Sequence, residues 1–451
     1  MDKSQRVKNN SEVIFSEIIN SFNNSFNTPK NQKNISIALS GGVDSIVLLH
    51  ALNELKSKLK IKLNAIHIHH NLSENADDWL TFCCKECKRL GVPISFEKVD
   101  IKPNLYMGIE GAARQSRYEA LENHRNNILA LGHHQNDQAE TLLLQLFRGS
   151  GLNGLAAMQA YDSDRFIWRP LLKVNQSLIK TYAKQNNLNF IEDESNSDLK
   201  FDRNFLRKKI LPLIESRYPD IINTISRSSE NIAEGLNLHQ AIAKEDANHY
   251  FSKNNERLSL TMMKSLERER VVNLIRWWLD VNKQKMPSKK TMSELFKQII
   301  DVKKDALLNI DISKSMSVRA YRDELLLVKK TKEISPYELI WRGEEVVELP
   351  GNSKLIFKKI IGSGFSLDKI GSNTLTIQNR NGGESFKPKN NQPTRTLKYL
   401  LQTSSIPPWK RQLMPLIFSE NDLVAVPNFG VHYKFQADND EYGWEIDWIN
   451  H

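Results

Sequence analysis

The 451-residue chain predicts an α/β protein in three parts: a parallel-sheet domain over residues 1–222, a mainly helical middle domain over 223–335, and a small α+β domain over 336–451. Three observations predict it. Strand-like apolar runs alternate with helical patterns through the first part, which argues for a parallel sheet covered by helices on both faces. Helical periodicity then dominates from about Asn223 to Lys330, and β-rich segments such as Lys354–Ile361 and Thr374–Gln378 follow. The chain is also too long for one core, so two or three domains are expected.

The first strand reads Ile35-Ser36-Ile37-Ala38-Leu39-Ser40, and the helix after it runs through Ile46-Val47-Leu48-Leu49-His50-Ala51-Leu52. Between them lies Ser40-Gly41-Gly42-Val43-Asp44-Ser45. A strand that breaks into glycines and opens a helix is a phosphate cradle, because backbone N–H groups can approach the anion with no Cβ in the way. Ser40 and Ser45 add hydroxyls, and Asp44 can hold a metal ion or an amine. The lysine of a Walker A loop is missing. Ile61–Ile68, Ile94–Val99 and Ile128–Gly132 read as the next strands, separated by the helices Asp77–Leu90 and Glu110–Asn123. Ligands of such sheets sit beyond the carboxyl ends of the strands. The SGGVDS loop, His67–Asn71 and Gly132–Gln138 are therefore expected to converge on one pocket.

His133 and His134 precede a long helix, and Asp137 and Glu140 share one face of it at a spacing of three. Two carboxylates there can hold Mg²⁺ against phosphates or orient a cationic amine. The alternative is a capping turn whose acids favour the helix dipole. Glu110, Arg114 and Arg117 recur along one helix, with Tyr118 beside them, as a candidate anion grip or a solvated ion-pair face. A loop with Asp193, Ser195 and Asn196 leads into a basic helix with Arg203, Arg207 and Lys208, suited to RNA phosphates.

Residues 380–411 carry seven basic side chains, Arg395, Lys398 and Arg411 among them, against one acid, Glu384, with Phe386, Tyr399 and Trp409 interleaved. Basic and aromatic residues together suit an RNA surface. Lys+Arg exceed Asp+Glu by 63 − 53 = 10, which also favours a polyanionic partner. The three cysteines, Cys83, Cys84 and Cys87, form neither a disulfide framework nor a full metal set. No apolar run is long enough for a membrane span, and no signal sequence follows Met1, so a cytoplasmic protein is expected.

The SGGxDS pattern resembles the PP-loop of ATP pyrophosphatases, which have an adenine nucleotide α-hydrolase-like fold and cleave ATP between the α and β phosphates. The order of blocks resembles the long form of the tRNA(Ile)-lysidine synthetase family. Those blocks are SGGVDS, HIHHN, EGAARQSRY, GHHQNDQAETLLLQLFRGSG, RPLL, DESNSD, RNFLRKKILP and LKYLLQTSSIPPWKRQLMPLIF.

The resemblance implies a ligase that spends ATP, with Mg²⁺, to adenylate the C2 carbonyl oxygen of the first-anticodon cytidine in tRNA(Ile) with a CAU anticodon. Free L-lysine then displaces AMP. It assigns ATP to Ser40, Gly41, Gly42, Val43, Asp44 and Ser45, and metal and lysine handling to Asp44, Asp137 and Glu140, supported by Arg114 and His133. It also allows a homodimer. One departure is Asn136, where the family usually has an aspartate. The alternative is another PP-loop tRNA-modifying enzyme such as a cytidine thiolase, whose paired CxxC motifs are absent here.

Overall fold

The computed structural model describes residues 3–26, 32–69, 75–99, 119, 121, 128–192, 198–250, 257–301, 308–330 and 334–450. By internal contacts the chain divides into two compact units, Met1–Ala241 and Ile242–His451.

The first unit opens with α1 (Lys3–Phe26), followed by β1 (Lys33–Ala38), α2 (Val43–Leu59), β2 (Ile61–His69), α3 (Ala76–Leu90), β3 (Ile94–Lys98), β4 (Ile128–Ala130) and α4 (Gln135–Phe147). Two-residue strands β5 (Tyr161–Asp162) and β6 (Ile167–Trp168) and helix α5 (Gln176–Gln185) come next. The six strands form one sheet in the order β3-β2-β1-β4-β6-β5. All neighbours pair in parallel except β5 and β6. The four expected strands are present. The short β5 and β6 and the helix α1 extend the sequence expectation, because two-residue strands leave no periodicity to read.

The core explains the layering. Ile35, Ile37, Val47, Leu48 and Leu52 of β1 and α2 are fully buried, and so are Ile14 and Ile18 of α1. Trp168 is buried with them and donates its indole N–H to Ser21 Oγ at 2.9 Å. Strand order runs outward in opposite senses from β1 and β4, which opens a crevice at their carboxyl ends. Downstream lie α6 (Asp202–Phe205), a π-helical stretch over Leu206–Ile210, α7 (Leu211–Arg217) and the long α8 (Ile221–Tyr250).

The second unit contains α9 (Arg268–Val281) and α10 (Lys289–Asp301), as the helical expectation for this stretch requires. It also contains a four-stranded sheet that the expectation omitted. Its strands are β7 (Arg257–Ser259), β8 (Asn309–Asp311), β9 (Met316–Tyr321) and β10 (Glu324–Lys329), in the order β7-β10-β9-β8. The β9–β10 hairpin turns on only Arg322 and Asp323, with Arg322 at φ +56°. Such turns are usually announced by Asn-Gly or Asp-Gly, and this one is not. Trp278, Leu325 and Val318 sit at the centre of this core.

The C-terminal region is α+β, as expected. A five-stranded antiparallel sheet has the order β11 (Glu338–Trp341), β14 (Leu375–Asn379), β17 (Pro415–Ser419), β18 (Asp422–Val426) and β19 (Gly430–Val431). A three-stranded sheet joins β12 (Val346–Leu349), β13 (Ser353–Ile361) and β20 (Tyr442–Asn450), and β15 (Ser385–Phe386) pairs with β16 (Arg395–Thr396). Two short helices, α11 (Leu397–Thr403) and α12 (Pro408–Arg411), complete it. Phe386 is fully buried in the core of this region.

Candidate active site

The crevice at the ends of β1 and β4 is built from three loops. The first is the SGGVDS turn. Gly42 is the N-cap of α2, and the first helical bond runs from Ile46 N–H to Gly42 O at 3.0 Å. The N–H groups of Val43, Asp44 and Ser45 therefore have no partner within the helix and face the crevice as anion donors. The hydroxyls shape the turn. Ser45 donates to Gly42 O at 2.9 Å, and the Ser40 and Ser45 oxygens lie 3.2 Å apart.

Gly41 has φ +88°, and a Cβ there would lie 2.8 Å from Ile191 Cδ1. Gly41→Ala is expected to weaken ATP binding at least tenfold or so, read by equilibrium dialysis, because the added methyl strains the backbone and pushes the loop off Ile191. ATP affinity equal to that of the parent protein would show that the loop adjusts without cost.

Gly132 brings the second loop in. A Cβ on Gly132 would lie 3.1 Å from the carbonyl of Asp44 and 3.2 Å from Ser45 N, so a side chain there would crowd the phosphate turn by a few tenths of an ångström. His134 follows at the N-terminus of α4. Its ring is 1% exposed, with Nε2 3.6 Å from Asp44 Oδ1 and 3.5 Å from Asp137 Oδ2. Burial works against the imidazolium, but Asp137 and Asp44 outweigh it, and the His134 pKa is raised. The resemblance named His133 as a supporting residue of this site. His133 is half-buried, and it is His134 that sits between the two aspartates. Adjacent histidines at a helix start give no sequence signal for which one turns inward.

The third element overturns an expectation. Arg203 and Arg207 do not project as free RNA contacts. Arg207 binds both oxygens of Glu140, Nε to Oε1 at 2.5 Å and Nη2 to Oε2 at 2.9 Å, and its Nη2 also reaches Asp137 Oδ1 at 3.1 Å. Arg203 Nε lies 3.0 Å from Glu140 Oε2. Glu140 is completely buried, so its charge demands these partners. Burial opposes ionisation of Asp137, but His134, His133, Arg203 and Arg207 outweigh it and hold its carboxyl down at about 2. Lys208, in the turn after α6, is exposed.

Asp137 Oδ1 takes Arg207 and Oδ2 takes the His134 backbone N–H at 3.0 Å, so both oxygens are engaged. Asp137 thus anchors a guanidinium and accepts the N-terminal N–H of α4 as well as facing His134. Asp44 Oδ1 is buried and has no hydrogen-bond partner, which suits a cation beside the phosphates. Among the described residues no group of three or more His, Cys, Asp or Glu side chains is placed to hold a metal.

Asn136 turns away from the carboxylates. Its Oδ1 accepts the N–H of Gln176 at 3.1 Å, at the start of α5. That bond ties the position to the start of α5.

The remaining expectations fall as follows. His67 is buried at the end of β2, with Nδ1 2.8 Å from Leu39 O just before the phosphate turn. Cys83 and Cys87 are fully buried, and burial pushes both thiols up to about 12, so they pack behind the loop as inert groups. Arg114, with Glu110, Arg117 and Tyr118, lies outside the described residues, as do His70, Asn71, Asp193, Ser195 and Asn196. In the C-terminal region, Arg395 and Lys398 are exposed, and Arg395 lies over the Tyr399 ring at 5.1 Å. Arg411, expected on an RNA surface, is instead 7% exposed, with Nε donating to Ile406 O at 2.6 Å and Nη2 to Tyr321 Oη at 3.1 Å. A guanidinium can satisfy two such acceptors at once, which is why this arginine is interior.

Comparison with known proteins agrees with this geometry. Three family models match in order: a PP-loop domain over residues 12–214, a TilS substrate binding domain over 258–326 and a TilS substrate C-terminal domain over 375–448. The tRNA(Ile)-lysidine synthase of Nitrosomonas europaea is 34% identical over 423 residues, covering 92% of this chain and 91% of its own. That of Haemophilus influenzae (strain PittEE) is 37% identical over 416 residues, covering 87% and 94%. Among solved structures, the U34-tRNA thiolase NcsA from Methanococcus maripaludis overlays 50% of this chain and 80% of its own at 20% identity with a TM-score of 0.41, too weak a likeness to carry the thiolase alternative. With a phosphate turn at the sheet's switch point and relatives of this identity aligned from end to end, the chain belongs to the tRNA(Ile)-lysidine synthase family.

Proposed function

We infer that the protein is an ATP-dependent ligase that joins free L-lysine to C2 of the first-anticodon cytidine of tRNA(Ile) with a CAU anticodon, releasing AMP and pyrophosphate. The observation that carries this reading is the juxtaposition of the SGGVDS turn with the charged cluster of Asp44, His134, Asp137, Glu140 and Arg207. ATP binding at such a turn is the chemistry of the PP-loop domain matched here.

The residues divide the work. Open N–H groups at the start of α2 and the hydroxyls of Ser40 and Ser45 hold the phosphates. Asp44, whose Oδ1 makes no hydrogen bond and faces His134 at 3.6 Å, would be the protein ligand of Mg²⁺, which when bound neutralises phosphate charge. Adenylation makes the cytidine oxygen a leaving group, carried away in AMP as the lysine nitrogen bonds to C2. The attacking ε-amine must lose a proton, and it enters the pocket as an ammonium. Asp137 and Glu140, held by Arg203 and Arg207, place negative charge behind the crevice that favours a cationic amine entering it. Arg114 and His133 remain supporting residues in this reading. ATP, lysine and tRNA meet in the cytoplasm, and among the described residues no helix is long and apolar enough to cross a membrane.

The test uses purified protein, Mg-ATP, radiolabelled lysine and unmodified tRNA(Ile) transcript with a CAU anticodon, against the elongator methionine tRNA bearing the same anticodon. Label fixed only on the isoleucine tRNA is expected. ATP cleavage to AMP with RNA present but no label fixed would require a different nucleophile.

A further inference from the structure

The N–H groups of Val43, Asp44 and Ser45 are only as well placed for phosphate as the turn that carries them. Gly41 opens that turn with φ +88°, in the left-handed region that favours glycine. Two residues from outside the turn meet it there. Ile191, beyond the end of α5, donates its N–H to Gly41 O at 2.9 Å, and its Cδ1 lies 2.8 Å from where a Gly41 Cβ would stand. Cys83 of α3 closes in from another element, with Sγ 3.4 Å from the same point. The three nearest atoms to that point all belong to these two residues. Around Gly42, by contrast, the nearest atom is Ser40 Oγ at 3.6 Å, which is part of the turn itself.

The two supports differ in kind. Cys83 is fully buried in the core that holds Ile35, Ile37, Val47 and Leu48, so α3 presents it to the turn as a fixed floor. Ile191 is half-buried and lies outside the helices and strands, and it holds the turn by a main-chain bond and an apolar cover. Burial pushes the Cys83 thiol up to about 12, so it is protonated and closed to electrophiles while the turn is seated on it. Cys87, one helical turn further along α3, is equally buried but is not among the nearest atoms to Gly41.

We propose that Cys83 and Ile191 are positioning residues that seat the phosphate turn from two sides, so that ATP binding and alkylation of the Cys83 thiol exclude one another. The proposal rests on ATP binding at this turn. The thiol is reached only when Gly41 lifts off it, and the lifted turn no longer presents its N–H donors to phosphate. An adduct on Sγ then occupies the place of Gly41 and keeps the turn out.

The test labels a Cys84→Ser protein, which lacks the half-buried neighbouring thiol, with N-ethylmaleimide and reads the modified peptides by mass spectrometry. The sulfur adds across the maleimide double bond: one S–C bond forms, the C=C π bond breaks, and the thiol proton ends on the neighbouring carbon. Without ATP, Cys83 is expected to label at least about tenfold faster than Cys87, because Cys87 is exposed only when α3 itself opens. ATP at about 100 times its dissociation constant is expected to slow Cys83 labelling about 100-fold. One common rate for the two thiols, or a Cys83 rate that ATP leaves unchanged, would overturn the proposal. In a second arm, Ile191→Ala is expected to raise the KM for ATP about tenfold while kcat and the KM for lysine stay within about twofold. Because Ile191 Cδ1 is the atom a Gly41 Cβ would meet, Gly41→Ala/Ile191→Ala is expected to bind ATP no more weakly than Gly41→Ala alone. Losses that simply add would remove Ile191 from the seat. Equilibrium dialysis of the parent protein with ATP is run alongside: no binding would refute the ATP reading of the turn, whereas binding that leaves Cys83 unprotected would refute only the seat.

Discussion

Asp44→Ala is expected to cut lysine fixation by about 10³-fold or more while tRNA affinity stays within about twofold. The expectation follows from position. Asp44 is the second residue of α2, beside the open N–H groups that receive the phosphates. Its Oδ1 is buried without a hydrogen-bond partner, and the same oxygen faces His134 Nε2 at 3.6 Å. A carboxylate so placed serves charge that arrives with the substrates, and its loss removes that stabilisation. Steady-state kinetics with tRNA, together with filter binding of the same tRNA, gives both numbers. Lost tRNA binding with retained turnover would remove Asp44 from the ATP site.

Arg207→Gln is expected to act on both stability and catalysis. Glu140 has no exposed surface, and Arg207 is bonded to both of its oxygens. Removing one partner of a buried pair leaves a charge that neither solvent nor protein neutralises, at a cost of about 3–5 kcal/mol. Arg203 remains at 3.0 Å, so the low end of that range, about 3 kcal/mol, is expected in urea unfolding. Because Arg207 also holds Asp137, lysine fixation is expected to fall by about 10²-fold or more in protein that remains folded. A variant as stable and as active as its parent would mean that these contacts are a solvated surface network. Arg207→Lys restores one charge but not the two-pronged geometry, and is expected to recover stability more than activity.

The pairing of Arg203 and Arg207 with the carboxylates also shows where sequence reading stops. Along the chain, RNFLRKK is a basic helix, and a basic helix in an RNA-binding protein is ordinarily read as a phosphate contact. What redirects it is Glu140, more than 60 positions away, whose burial is a property of the packed fold alone. The same logic moved Arg411 from the surface to the interior, where the carbonyl of Ile406 and the hydroxyl of Tyr321 claim it. Charged side chains go where their partners are, and partners distant in sequence leave no local trace.

The sequence by itself determined the parallel-sheet domain, the position of the phosphate turn and the family, because these rest on local signals. Strand periodicity, a glycine pair between strand and helix, and the order of motif blocks are all short-range patterns. Only the tertiary structure decided that His134 and not His133 lies between the aspartates, that Asn136 bonds the first N–H of α5, and that Asp137 and Glu140 are held by arginines. It also revealed the four-stranded sheet of the middle region, whose tight hairpin lacks the usual turn residues. The physical reason is common to all of them. Side-chain direction, burial and charge pairing depend on what the rest of the chain brings alongside, and a linear reading carries that information only where neighbours in space are also neighbours in sequence.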